Sequence, residues 1–171
     1  HHLYLHSFPT RRSSDLDCNI LRDFILQSVQ EKAIVFSDIY NCPIHKLPHI
    51  DIFSPILDKN REIRSVIVFR KDPIKDIYPL VSFWPEDNSS YESVLVKKEG
   101  DSIRIINKLR FSDKEVLDVK MSLKQLDIAA AAAVSGHKGI FEGIDYRGIE
   151  VFSYTSPVTG TPWFMVSKVD K

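Results

Sequence analysis

Glycine is scarce in this chain. Six glycines in 171 residues are too few and too scattered to cradle a nucleotide phosphate. No G-x-S-x-G, H-E-x-x-H or phosphate-loop pattern is present, so the common signatures of nucleotide-dependent and hydrolytic enzymes are missing. Two cysteines, Cys18 and Cys42, do not make a disulfide framework and leave the redox compartment open. No run approaches the ~20 consecutive apolar residues that a membrane-spanning helix needs. No sign of charge predominates either: 23 Lys and Arg stand against 23 Asp and Glu. There is no global pull toward nucleic acid or an anionic membrane, and no basic stripe interleaved with aromatics. What is present is an ordinary globular balance, 43% apolar and 27% charged, which argues against disorder. The length suits one domain or two small ones.

The first sixteen residues, HHLYLHSFPTRRSSDL, match nothing that follows. Arg11 and Arg12 come after the apolar residues, the reverse of a signal peptide. Residues 6–16 back-translate without a gap into a widely used sequencing adapter. Residues 1–16 are therefore expected to be an adapter-derived, disordered artefact joined to a truncated gene. The one physical route to order is for Tyr4 and Leu5 to adhere to an unpaired sheet edge.

Beyond this segment the periodicities are clearer. Ile20, Leu21, Phe24, Ile25 and Val29 recur at helical spacing, which predicts an amphipathic helix over 19–32. A short strand over 33–36 enters a turn at Ser37-Asp38. Residues 41–48 carry two prolines and read as a loop. Ile50, Ile52 and Ile56 share one parity, and Pro55 restricts this strand to an edge or a bulge. The run RSVIVFR, 64–70, predicts a central strand. Asp72-Pro73 opens a helix as N-cap and first-turn proline, which Pro79 shortens or kinks. Trp84-Pro85 ends it, and the polar loop after it sets a module boundary, giving 17–85 and 86–171.

The second module reads as two strands around a turn at 99–101, a weak strand over 116–121, and a helix. An S-x-x-Q capping box at Ser122 and Gln125 predicts that helix over 122–135. Its stripe is Leu123, Leu126, Ala130 and Val134. Three more strands follow, over 139–144, 149–157 and 163–169, with Asp145-Tyr146-Arg147-Gly148 as the first hairpin turn. Strand, strand, helix and three antiparallel strands make an α+β, PAS-like order.

The closing stretch GHKGIFEGIDYRGIEVFSYTSPVTGTPWFMVSKVD resembles the end of the membrane-proximal module of bacterial double-Cache sensors. Its G-x-x-G, DYRG, G-T-P-W and K-V-D elements carry the resemblance. VFSDIY, IDIFSPI, SVIVFRKDP, IYPLVSFWP and ESVLVKKEGD follow the same family's order. The resemblance implies tandem PAS-like Cache modules, a truncated membrane-distal one followed by a complete membrane-proximal one. It also implies an extracytoplasmic, periplasmic domain of a membrane-anchored, homodimeric signal transducer that binds a small molecule. The missing cytoplasmic part would be a histidine kinase or a cyclase, and the fragment itself no enzyme.

Within that frame Asp38, Tyr40, His49 and Asp51 are the expected ligand-binding residues, since carboxylate and imidazole groups make charge-assisted hydrogen bonds to polar metabolites. The bland reading is that Asp38 caps a turn and that His49 and Asp51 face solvent. Cys42, His45 and His49 have C-x-x-H-x-x-x-H spacing, and thiolate and imidazole suit zinc. Pro43 and Pro48, however, break any helix that would align the two histidines, so the expectation is no metal and no cofactor. Asp145, Tyr146 and Arg147 are read as a structural turn and Trp163 as core. Two alternatives to ligand sensing stand beside it: a structural or dimerisation module that binds no ligand, and a small α+β hydrolase.

Overall fold

The computed structural model describes residues 4–7, 19–43, 45–82 and 90–171. Cys18, Trp84-Pro85, most of the polar loop after them, and most of the segment 1–16 lie outside the described residues. The chain divides into two compact units, His1–Asp76 and Ile77–Lys171. The division falls where Pro79 breaks the expected helix into two single turns, α2 (Pro73–Asp76) and α3 (Tyr78–Val81). The Asp72 side chain caps the first by accepting the Ile74 N–H at 3.0 Å, as its sequence predicts.

Besides the single turn α2, the described residues of the first unit form a sheet with a longer helix laid on it. Its strands are β1 (Tyr4–Ser7), β2 (Val35–Phe36), β3 (Tyr40–Asn41), β4 (Pro48–Leu57) and β5 (Ile63–Lys71). The order is β1-β5-β4-β2, with β3 also pairing with β4. Helix α1 (Asn19–Glu31) buries its apolar stripe on β4 and β5. Leu21 and Phe53 are fully buried, and the Phe24 ring stacks on Phe53 at 5.7 Å. Ile25 and Val29 pack against the same cluster, which includes Val66 and Val68. Each such side chain contributes ~1.5–3 kcal/mol of burial.

Two expectations change here. Residues 4–7, expected to be disordered, run parallel to β5 with Tyr4 opposite Ser65 and Ser7 opposite Val68. The cause is the open edge of β5, whose unpaired backbone groups accept any extended segment within reach. The second change concerns β4. Its isoleucines do not form the buried face; His49, Asp51 and Phe53 do. The strand is not at an edge, because β5 flanks one side and β2 and β3 the other. Pro55 is tolerated because strand alternation turns its nitrogen to the side of β2, beyond the last pair Val35–Phe53. An irregularity follows at Ile56/Leu57.

The second unit is a six-stranded antiparallel sheet. Its strands are β6 (Glu92–Glu99), β7 (Ser102–Ile105), β8 (Lys120–Ser122), β9 (Gly139–Ile144), β10 (Glu150–Pro157) and β11 (Trp163–Asp170). Their order is β8-β7-β6-β11-β10-β9. Helix α4 (Ala129–Val134) covers one face, packing its alanines on Val94, Val96, Ile103, Ile105 and Val166. Alanine admits this close approach. The capping box at Ser122 does not start the helix. Ser122 ends β8, and its hydroxyl accepts the Lys124 N–H in a tight turn, a local bond that competes with helix. Residues 123–127 stay out of the helix because the Asp127 carbonyl accepts the Ile144 N–H at 2.9 Å. Leu126 is accordingly 74% exposed. Gly143 sits under this crossing: a Cβ there would collide with the Asp127 carbonyl oxygen and the Phe141 ring.

Candidate functional site

The site grows from the register of the first unit's sheet. Side chains of one parity share a face, and the pairings place Asp51 opposite Arg70, Phe53 opposite Val68, and Tyr40 opposite His49. One end of that face is the apolar contact with α1. The other end is polar. Arg70 Nε donates to Asp51 Oδ1 at 2.9 Å and its Nη2 to Asp51 Oδ2 at 3.3 Å. The Tyr40 hydroxyl donates to Oδ2 at 2.6 Å. Ser37 ties the backbone: its N–H donates to the Asp51 carbonyl, and its hydroxyl accepts the Asp51 N–H, each at 2.8 Å.

The electrostatics follow from burial. The Asp51 side chain is 0% exposed and that of Arg70 is 25% exposed. Burial and the hydrogen bond to Asp51 push the Tyr40 phenol well above its ordinary pKa, so it stays a donor. Burial works against the Arg70 charge, but the bonds to Asp51 overcome it and raise its pKa. His49 is 8% exposed. Burial and then the Arg70 charge lower its pKa, favouring the neutral ring. Its Nδ1 is buried without a hydrogen-bond partner among the described residues, a state that costs ~1–3 kcal/mol.

The structure thus brings together Tyr40, His49 and Asp51, whose rings and carboxylate form one cluster; Tyr40 and His49 meet edge to face at 6.3 Å. His49 and Asp51 do not face solvent. Asp38 stands apart in role: its Oδ1 accepts the Ile39 N–H at 2.8 Å within the turn. Asp51 has both oxygens engaged, so it positions Arg70 rather than offering a free carboxylate. Arg70 and Ser37 are the residues that sequence reasoning missed. The signal for Arg70 was its parity with Val66 and Val68 on a strand read as central, which forces a charge onto a buried face.

Cys42, His45 and His49 also converge. Their ligand atoms lie within 4.8 Å of one another. The prolines that exclude a helix do not prevent this, because a loop between β3 and β4 aligns them instead. Cys42 Sγ lies 3.2 Å from His45 Nδ1, but Cys42 is 1% exposed and Asp51 is committed to Arg70 and Tyr40, not to His45.

The second unit carries a different cluster. Lys168 Nζ lies 3.0 Å from Glu92 and 2.8 Å from Asp145, all three side chains at most 3% exposed. The Tyr146 hydroxyl donates to Glu92 at 2.9 Å, and Arg147 donates to Asp145 and Asp170. The Asp145 carboxylate also accepts the Arg147 N–H, which closes the turn. Asp145, Tyr146 and Arg147 therefore build the turn, and Trp163 is buried at 6%.

No protein-family model matches the chain, and no curated protein matches it. Solved structures do. The ligand-binding domain of the Pseudomonas aeruginosa PAO1 amino acid chemoreceptor PctC, in complex with GABA, aligns with a TM-score of 0.63 at 15% identity. That alignment covers 95% of this chain and 67% of that one. The periplasmic sensory domain of the Campylobacter jejuni chemoreceptor Tlp1 aligns at 0.60 and 14% identity, over 93% of this chain and 57% of that one. The extracellular domain of mmHK1S-Z2, designated a histidine kinase, aligns at 0.58 and 18% identity, over 86% of this chain and 54% of that one. The chain has the Cache-type, PAS-like α+β fold of these extracytoplasmic sensor domains. It spans little more than half the length of most of them. Among the described residues no helix is long and apolar enough to cross a membrane.

Proposed function

We propose that this chain is the extracytoplasmic sensing part of a membrane-anchored bacterial signalling receptor, and that its first unit binds a small metabolite through Arg70. The observation that carries this reading is the Asp51–Arg70–Tyr40 cluster. A guanidinium is held by a buried carboxylate and a phenol, yet stays one-quarter exposed, and its Nη1 makes no hydrogen bond among the described residues. Such a group is preorganised to receive a carboxylate by charge-assisted hydrogen bonds. The Cache-type fold, and a neighbour whose complex holds the amino-acid-like GABA, support the same ligand class. The chain then acts as a binding module rather than as an enzyme. The signal passes through a homodimeric parent whose output is a histidine kinase or a cyclase.

A thermal-shift panel of amino acids, γ-aminobutyrate and short carboxylates tests the binding, with calorimetry on any compound that raises the melting temperature. Arg70→Ala is expected to weaken that compound at least about tenfold, which is 1.4 kcal/mol. Equal binding by Arg70→Ala counts against the reading. The full gene tests the topology: a hydrophobic span on each side is expected.

A second reading, that of a structural or dimerisation module, is favoured by an open groove of about 460 Å³ on the second unit's sheet, lined in part by Tyr91, Ile140, Phe152 and Tyr154. These four are 42–76% exposed, and contiguous exposed apolar surface marks interaction sites. If that reading holds, Phe152→Glu shifts the sedimentation coefficient of the protein toward a smaller species while ligand binding is unchanged.

A further inference from the structure

We infer that Cys42, His45 and His49 form a binding site for a zinc-class divalent metal ion, held on the hairpin between β3 and β4. Three observations support the site. First, the three ligand atoms lie within 4.8 Å of one another, and Cys42 Sγ approaches His45 Nδ1 to 3.2 Å. Ligands 2.0–2.3 Å from a tetrahedral zinc stand roughly 3.3–3.7 Å apart. The closest pair is already near that spacing, and modest side-chain rotations bring in the rest.

Second, the backbone presenting them is closed on itself. The Cys42 N–H donates to the Leu47 carbonyl at 2.9 Å, and the Lys46 N–H to the Cys42 carbonyl at 2.8 Å. Lys46 takes the left-handed conformation, φ 57°, that turns the chain back. His49 is fixed by its place opposite Tyr40 in the β3–β4 ladder. The backbone that carries the ligands is thus set before a metal arrives, which lowers the ordering cost of binding.

Third, His49 is more than nine-tenths buried with Nδ1 unpartnered, and it belongs to the cluster. A metal bound at that nitrogen would supply the missing partner. Cys42 is buried and makes no disulfide among the described residues, so its sulfur is free to ligate a metal. One thiolate and two imidazoles form a borderline-soft set that favours zinc over calcium or magnesium. Three protein ligands leave the fourth position for water or another small ligand. Arg70 supplies no ligand atom to the site, so metal binding and metabolite binding are read by separate measurements.

Cobalt(II) titration of chelator-treated protein tests it. A Cys18→Ser background removes the other thiol. One equivalent is expected to bind, giving a near-ultraviolet thiolate-to-cobalt charge-transfer band and visible d–d bands of tetrahedral intensity, all displaced by zinc. Cys42→Ser should abolish the charge-transfer band. His45→Ala, a half-buried loop residue, should weaken cobalt at least about 100-fold while circular dichroism stays native. No charge-transfer band at one equivalent in the Cys18→Ser protein overturns the proposal. So does unchanged cobalt affinity in a folded His45→Ala protein.

Discussion

The two units each bury a carboxylate, a cation and a tyrosine on a sheet, yet the clusters are built to different ends. In the second unit Lys168 stands between two carboxylates at 1% exposure, and the Tyr146 hydroxyl and the Arg147 N–H donate to the other oxygens, Glu92 Oε1 and Asp145 Oδ1. Every charge is answered within the cluster. In the first unit one carboxylate, Asp51, is answered by a cation that reaches toward solvent with donors to spare. A cluster whose donors and acceptors are all matched is a structural joint; one that keeps a partly exposed donor has something left to offer a ligand. Residue type alone does not separate the two, since the turn DYRG is richer in site-prone residues than the run around Asp51. Stoichiometry and exposure do.

The contrast can be broken most directly at Lys168. Lys168→Met leaves Glu92 buried without a cation and Asp145 with Arg147 alone, and is expected to cost about 3–5 kcal/mol, read by chemical denaturation. A loss below about 1 kcal/mol would mean that the second cluster is not closed. Gly143→Ala probes the slack in the same unit. Its methyl meets the Asp127 carbonyl, so the strand crossing must shift at a cost of about 2 kcal/mol; a neutral change would show that the crossing is loose.

Arg70→Ala in the first unit sharpens the comparison from the other side. It removes a cation that is one-quarter exposed rather than one that is 1% exposed, so water can enter the vacated space. A loss of about 1–3 kcal/mol is expected, smaller than that at Lys168, measured in the same denaturant series. The reverse ranking would undo the distinction between joint and site.

The smallest effect is titration of Glu99 at the second unit's surface. Burial opposes its ionisation, but hydrogen bonds from Arg104, Lys120 and Lys97 outweigh that and hold the carboxyl at about 2. Its folded pKa lies below the unfolded value, so the stabilisation is present above about pH 4.5 and fades as pH falls toward 2. Solvent screening of this half-open cluster limits the loss to about 1 kcal/mol. In Glu99→Gln that acid-dependent part of the melting curve should disappear.

Much of the second unit was legible in the sequence because its signals are local. Gly100 and Gly148 adopt the positive φ that their turns require, and β6, β9, β10 and β11 begin and end within a residue of where periodicity and turn residues place them. The capping box at Ser122 misled because the deciding interaction, Ile144 with Asp127, is distant in sequence. The first unit shows the same limit in β4. Ile50, Ile52 and Ile56 advertise an apolar face, while the buried parity carries His49, Asp51 and Phe53. Only the position of β4 between two neighbours resolves that conflict. Three of the four expected ligand residues meet there, but Arg70, the group left with donors to offer, lay hidden at the end of an apolar strand. The approach of Cys42 and His45 was masked by reading Pro43 and Pro48 as helix breakers, when a loop rather than a helix brings the groups together.

One feature of the first unit sets how it responds to force. Asp51 receives Tyr40 from β3 on one side and Arg70 from β5 on the other, and its own backbone is laced to Ser37 in both directions. The three strands are cross-tied at a single residue, like planks through one bolt. Displacing the guanidinium would therefore pull on β4 through Asp51 and on β3 through Tyr40. The amide hydrogen of Asp51, held by a hydroxyl beneath that bolt, should be among the slowest in its unit to exchange with deuterium.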